Sequence, residues 1–244
     1  MKVLGVIPAR YSSSRFPGKP LARIGGKTMI EWTYSNSFKS KAIDRLVVAT
    51  DSELIEKEVL RFGGEVVMTS SQHLTGTDRI IEVAKNFKDV SFVVNIQGDE
   101  PGIEDTLISG VAEMKKSKTE WEVVTAATSF QPSEDPNDPN RVKVVFDRNN
   151  KALYFSRSLI PSNFKKNPMH YRHLGIYAYN RDYLLNIPNL KISDREEAES
   201  LEQLRFLQNG ATIGIFITSQ ASLAVDTPED LDLVITDFKN KNLI

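Results

Sequence analysis

The chain of 244 residues contains no cysteine. That absence excludes disulfide staples, thiolate nucleophiles and every zinc site built on sulfur. Histidine is scarce at three, too few for a metal cage made of imidazoles alone. Charge of one sign is not in excess: 31 Lys and Arg face 32 Asp and Glu, a formal net charge of -1. A protein that grips a nucleic-acid backbone carries a basic surplus, so a nucleic-acid partner is not expected. Long apolar runs are also missing. The opening run ends at Pro8 and Arg10, short of a signal-peptide core and far short of the roughly 20 residues a membrane helix needs. These absences describe a soluble, cytoplasmic protein with no membrane partner.

What is present is alternation. Continuous apolar runs at Val3–Ile7, Leu46–Thr50, Glu65–Met68 and Phe92–Ile96 predict strands. Helical spacing falls between them and beyond, at Thr28–Lys39, Glu53–Phe62, Asp78–Asn86 and Glu104–Lys116. Such strands between helices predict a parallel sheet covered on both faces, an α/β doubly wound architecture. The middle changes character. Val123–Thr128, Val142–Phe146 and Ala152–Phe155 read as strands without intervening helices, followed by a strand at Leu174–Tyr179. This is the pattern of a smaller mixed α+β lobe. One helix is expected over Glu196–Gln208, a strand at Ile213–Ile217 and a closing helix at Pro228–Lys239. We expect a single domain over residues 1–244. Its nucleotide-binding part would span about 1–120 plus 210–244, and its second lobe about 121–209.

Six segments carry residues suited to chemistry. The first, Pro8 to Leu21, follows the first strand and places Arg10, Arg15 and Lys19 within ten residues, with Ser12, Ser13, Ser14 and Gly18 among them. Fixed cations and many donors at the carboxyl end of a strand suit a polyphosphate; a solvated basic loop is the plainer reading. Gly26-Lys27-Thr28 ends like a P-loop, but Leu21 stands where the motif needs glycine, and no G-x-G-x-x-G occurs. The second segment, Gln97-Gly98-Asp99-Glu100-Pro101, offers a carboxylate beside the fourth strand, either an ordinary acidic turn or a hard ligand for Mg²⁺ next to phosphate. The third is Val225-Asp226-Thr227-Pro228-Glu229-Asp230. Thr227 and Asp230 read as a capping box with Pro228 at the first helical position, which leaves Asp226 unexplained. In the fourth, Thr75-Gly76-Thr77-Asp78-Arg79, Thr77 could cap the next helix, or the turn could hold a base edge beside Arg79. The fifth joins Tyr154-Phe155-Ser156-Arg157 to Arg172-His173-Leu174-Gly175-Ile176-Tyr177. Arg157, Arg172 and His173 form a second cationic group suited to an anionic acceptor, although a lone strand histidine is often structural. His170 and His173 lack the partners of a zinc site. The sixth, Glu199 to Leu207, is mostly an apolar helix face; periodicity leaves open whether Glu202 and Gln203 face a pocket.

Taken in order, PARYSSSRFPGKPL, VVATD, TGTDR, QGDEP, VKVVFD, ALYFSRSLIP, RHLGIYAY, ESLEQLRFL and VDTPEDL resemble the 3-deoxy-manno-octulosonate cytidylyltransferase (CMP-Kdo synthetase) family. The resemblance covers nearly the whole chain. It implies a Rossmann-like nucleotidyltransferase fold, a smaller lobe over the sugar, and a homodimer. The implied reaction is CTP plus Kdo giving CMP-Kdo and pyrophosphate, dependent on Mg²⁺, for lipopolysaccharide biosynthesis. By motif, Arg10, Arg15 and Lys19 would hold the triphosphate. Pro8, Ala9, Thr75, Gly76, Thr77, Arg79 and Gln97 would surround the cytidine. Asp99 and Asp226 would ligate the metal, and Arg157, His173, Tyr177, Glu202 and Gln203 would line the sugar-acid site. Lys19, Arg10, Asp99 and Asp226 are the expected catalytic group. Phosphoryl transfer needs positioning and charge neutralisation, and no Ser/His/Asp triad is required.

Departures from the family pattern cluster at the acceptor lobe and metal edge: Ala224 before Val225-Asp226, Ser162 after Ile160-Pro161, and Ser193-Asp194-Arg195. Glu100 after Gly98-Asp99 favours the 8-hydroxy sugar over its 8-amino variant. Another 3-deoxy sugar acid is the nearest alternative substrate. A non-catalytic nucleotide-sugar binding module is the alternative from a different class, and a UTP- or GTP-dependent transferase for neutral sugar phosphates is a third.

Overall fold

The computed structural model describes every residue except Ser13, Ser14, Ser133 and Ala221. In chain order the strands are β1 (Val3–Ala9), β2 (Arg23–Ile24), β3 (Lys27–Thr28), β4 (Arg45–Thr50), β5 (Val66–Met68), β6 (Phe92–Asn95), β7 (Val123–Ser129), β8 (Lys143–Phe146), β9 (Ala152–Ser156), β10 (Tyr171–Asn180) and β11 (Ile213–Thr218). The α-helices are α1 (Met29–Ser37), α2 (Glu53–Arg61), α3 (Gly76–Asn86), α4 (Asp105–Ser117), α5 (Arg181–Asn186), α6 (Asp194–Glu199), α7 (Gln203–Gln208) and α8 (Pro228–Asn240). The chain divides into two compact units. One comprises Met1–Ser109 with Ser222–Ile244, the other Gly110–Ala221.

In the first unit β1, β4, β5 and β6 are all parallel: β1 pairs with β4 on one side and β6 on the other, and β4 pairs with β5. The strands are nearly unbroken apolar runs because both faces are covered; Val3, Leu4, Val6 and Ile7 have no exposed surface. α3 packs on β1, β4 and β6, and α1 and α2 pack on β4. The chain builds outward from β1 through β4 to β5, then returns to place β6 on β1's other edge. That reversal opens a crevice at the carboxyl ends of β1 and β6, where ligands bind in sheets of this kind. α8 closes the unit. Val234 and Phe238 from α8 bury against Ile24, Met29 and Val225, with Trp32 meeting Phe238 edge-on at 5.0 Å.

The second unit is mixed. β10 is antiparallel to β7 and to β8, β8 is antiparallel to β9, and β11 is parallel to β7. The pairing of β10 with β7 shifts between Leu174 and Tyr177. The shift places Tyr177 opposite Thr125 and His173 opposite Ala127, so the two rings share one face with no side chain between them. β11 therefore belongs with Gly110–Ala221, through its pairing with β7.

Two local expectations are corrected. The single helix expected over Glu196–Gln208 is two helices, because Ser200 adopts a left-handed conformation at φ 52 and ψ 50 and ends α6. Apolar periodicity ran through the break because Leu201 and Leu204 are buried on both sides of it. The cap of α3 is Thr75, not Thr77. Thr75 accepts from the Asp78 amide while Asp78 accepts from the Thr75 amide. Periodicity also missed the small hairpin of β2 with β3 and the short α5, both too brief to show a period.

Candidate active site

At the carboxyl ends of β1 and β6 lies a cavity of about 460 Å³ lined by Pro8, Ala9, Arg10, Ser12, Arg15, Lys19, Pro20, Met29, Gly76, Arg79, Gln97, Gly98, Asp99 and Asp226. Local backbone chemistry builds each wall. After β1 the chain folds back on itself: Gly18, in the left-handed region at φ 71, donates its amide to the Tyr11 carbonyl at 2.8 Å. Gly18 also starts the short 3-10 turn that carries Lys19. After β6, Gly98 comes so close to β1 that a Cβ there would lie 2.6 Å from the Pro8 carbonyl oxygen. Only glycine permits that approach.

Lys19 is the centre of the charge arrangement. Its side chain is only 13% exposed. The ammonium donates to Asp99 Oδ2 at 2.9 Å, to the Val225 carbonyl at 2.7 Å and to Asp226 Oδ1 at 3.3 Å. Arg15 Nη2 reaches the same Asp226 oxygen at 3.0 Å. The two carboxylates are far apart in the chain but converge on one cation. They are held there by a backbone bond from the Val225 amide to the Asp99 carbonyl at 2.9 Å, and by burial of Val225 in the α8 cluster. Asp226 stands just before the α8 cap. The expected capping box is present: Thr227 accepts from the Asp230 amide, and Asp230 accepts in return from the Asp226 and Thr227 amides. Partial burial pushes the Asp230 carboxyl upward, but the bonds from the Asp226 and Thr227 amides outweigh it and leave the group below its ordinary value.

The far wall is set by α3. Gly76 lines the cavity; Thr75 has its hydroxyl tied to Asp78 and Thr77 is buried, and neither lines it. Arg79 does line it, with no exposed surface. Arg79 Nη1 donates to the Thr69 hydroxyl, and Nη2 to Asp51 Oδ2 at 3.1 Å. Arg10 is exposed and donates to the Leu74 carbonyl at 3.3 Å. Ser13 and Ser14 lie outside the described residues.

The other expected group lies in the second unit. Arg157 is folded onto the end of α6. Its amide donates to Glu199 Oε2 at 2.8 Å, its Nε to the Glu199 carbonyl at 2.6 Å, and its Nη1 to the Pro139 carbonyl at 3.0 Å. Arg172 pairs with Glu134 at 2.8 Å. His173 corrects the expected cationic trio. Burial pushes its imidazolium down to about 3, so the ring is neutral at ordinary pH. His173 meets Phe155 edge-on at 5.0 Å and Tyr177 at 5.4 Å, with Nε2 on the Thr125 hydroxyl at 2.9 Å. Since that hydroxyl also reaches the Ile176 carbonyl at 2.7 Å, it donates there and accepts from the ring. Burial, and then Glu202, push the Tyr177 phenol upward. Gln203 is buried at the start of α7, directly after Glu202.

Two residues that the sequence reading did not single out support these groups. Asp51 anchors Arg79, and Glu199 anchors Arg157. The position of Asp51, one residue past a central strand, is the signal that could have found it. Among the described residues no three His, Asp or Glu gather as a metal cluster, and no helix is long and apolar enough to cross a membrane.

Residues 4–213 match the family model described as cytidylyltransferase. The chain is 60% identical to the 3-deoxy-manno-octulosonate cytidylyltransferase of Leptospira interrogans, over 100% of this chain and 98% of that protein. It is 46% identical to the enzyme of the same name from Fusobacterium nucleatum, over 100% and 99%. A solved structure of CMP:2-keto-3-deoxy-manno-octonic acid synthetase complexed with CTP superposes with a TM-score of 0.95 at 39% identity, covering 99% of this chain and 100% of the other.

Proposed function

The chain belongs to the 3-deoxy-manno-octulosonate cytidylyltransferase family, and from that premise we propose that it couples CTP to Kdo, giving CMP-Kdo and pyrophosphate. The observation that carries the reading is the convergence of Asp99 and Asp226 on Lys19 within a cation-lined cavity at the strand ends. In the reaction the anomeric oxygen of the sugar acid bonds to the α-phosphorus and the α–β phosphoanhydride bond breaks. The electron pair leaves on pyrophosphate, and the hydroxyl proton passes to solvent. Chemistry of this kind is accelerated by positioning and charge stabilisation.

Each group has a role in that scheme. Arg10, Arg15 and Lys19 neutralise the triphosphate and the departing pyrophosphate. Pro8, Ala9, Gly76, Arg79 and Gln97 enclose the nucleoside, with Thr75 and Thr77 shaping the turn that presents Gly76. The donor set around Lys19 is all oxygen, two carboxylates and a carbonyl, and fits a hard divalent ion. Asp99 and Asp226 would hold Mg²⁺, which when bound supplies charge to the phosphates and lowers the pKa of a coordinated hydroxyl. Arg157, His173, Tyr177, Glu202 and Gln203 receive the acceptor, with Arg157 as the charged partner of its carboxylate and His173 as a neutral ring. Kinship supports a cytoplasmic homodimer serving lipopolysaccharide synthesis.

The test is a product assay by mass spectrometry with Mg²⁺, CTP, UTP or GTP, and a panel holding Kdo, 8-amino-Kdo and other 3-deoxy sugar acids. CMP-Kdo and pyrophosphate in equal amounts are expected. Nucleotide binding without product from any acceptor would replace the enzyme by a binding module. Product with an 8-amino sugar alone would move the substrate.

A further inference from the structure

We infer that Asp51, together with Thr69, is a positioning residue for pyrimidine selection: it fixes the buried guanidinium of Arg79 so that its donors meet cytosine and not uracil. The inference deepens the proposed function and rests on CTP occupying the strand-end cavity. Arg79 has no exposed surface, yet it lines that cavity. Its two anchors come from neighbouring strand ends. Asp51 follows β4 directly and accepts from Nη2 at 3.1 Å. Thr69 follows β5, accepts from Nη1, and donates its hydroxyl hydrogen bond to the Thr50 carbonyl at 3.1 Å. Both anchors are acceptors, so the guanidinium cannot turn without losing one of them. Arg79 Nε, also buried, has no hydrogen-bond partner among the described residues. A buried donor left unsatisfied is costly, and a ligand acceptor is what removes the cost.

The chemistry of the bases then decides. Arginine only donates. Cytosine presents two adjacent acceptors, O2 and N3, to a donor. Uracil carries a proton on N3, so a fixed guanidinium there faces a donor against a donor. A site built on buried donors rejects the base that cannot accept from them. Asp51 also supplies the counter-charge without which a buried guanidinium would be strongly unfavourable. A guanidinium released from Asp51 could swing towards O2 alone, which both bases share.

The experiment compares kcat and KM for CTP and UTP, with a saturating acceptor, in the wild type, Asp51→Asn, Asp51→Glu, Thr69→Val and Thr69→Ser. Wild-type turnover of CTP tests the proposed function, and the variants test Asp51 and Thr69, so the two fail separately. Asp51→Asn should raise the KM for CTP about tenfold or more, leave kcat within about threefold, and narrow the CTP/UTP ratio of kcat/KM by about tenfold. Asp51→Glu and Thr69→Ser should recover part of the ratio, and Thr69→Val should narrow it. A lowered melting temperature with the wild-type KM and CTP/UTP ratio would make Asp51 a fold-stabilising residue only and overturn the inference. Should Asp51→Asn yield no soluble protein, the Thr69 pair decides: an unchanged ratio in Thr69→Val overturns it, and a narrowed ratio supports it.

Discussion

The two units handle charge in opposite ways. In the first, charged side chains are gathered in pairs: Lys19 and Arg15 contact Asp99 and Asp226 at the strand-end cavity. In the second, the ring of His173 is stripped of charge by an aromatic surround of Phe155 and Tyr177. The difference follows from architecture. Parallel strand ends splay into a solvated crevice where ion pairs keep contact with water and stay exchangeable. A shifted antiparallel pairing turns side chains onto one packed face, where desolvation disfavours any cation lacking a partner.

The largest effect expected from breaking this contrast is at Asp99. Asp99→Asn should lower kcat by at least ~10²–10³-fold while CTP binding changes little, measured at saturating Mg²⁺. Wild-type turnover in that variant would end the role given to the carboxylate pair. Gly98→Ala probes the crevice itself. With its Cβ 2.6 Å from a backbone carbonyl, it should cost about 1–3 kcal/mol in urea unfolding and weaken CTP binding by spreading β1 from the loop after β6. Unchanged unfolding would show that the close approach is dispensable.

The neutral ring of the second unit makes a pH prediction. The folded-state pKa of His173, about 3, lies below its unfolded value of 6.5, so the unfolded chain binds the extra proton first. Stability from this group is full above the unfolded value and is lost as pH falls towards the folded one, by roughly 2 kcal/mol between about pH 7 and pH 5. His173→Gln should flatten that part of the melting-temperature profile; an identical profile would put the acid sensitivity elsewhere. The smallest effect is expected at Ser200. Glycine suits its left-handed backbone, so Ser200→Gly should change stability by no more than about 1 kcal/mol, upward, in guanidinium titration. A clear loss would show that the Ser200 side chain matters more than its backbone.

Much of this was legible beforehand for identifiable reasons. Parallel strands announce themselves as apolar runs, so β1, β4, β5 and β6 could be read within a residue or two. The capping box at Thr227 is a local pattern and was readable as such. The cluster of Arg10, Arg15 and Lys19 past the first strand was visible in composition, and all three line the strand-end cavity. What stayed hidden depends on contacts distant in sequence. The Thr75 cap is the exception: it carries the same Thr-x-x-Asp spacing as Thr227 and Asp230, whereas Thr77 has Ile80 three residues on, and nothing in the apolar periodicity marks Ser200 as a helix break. The charge state of His173 depends on its burial, with Phe155 of another strand packed edge-on against the ring, and periodicity along one strand cannot show that.

The sequence by itself determined which residue types were available, where the long apolar strands and the longer helices would fall, and that the cations lie just past the first strand. Hydrophobic periodicity and local hydrogen-bonding chemistry are properties of neighbours along the chain. Only the tertiary structure decided that Asp99 and Asp226 share one ammonium, that Arg79 is buried between Asp51 and Thr69, and that His173 is uncharged. Electrostatic energy and desolvation depend on distances through space, and those exist only once the strands and helices carrying these residues have packed.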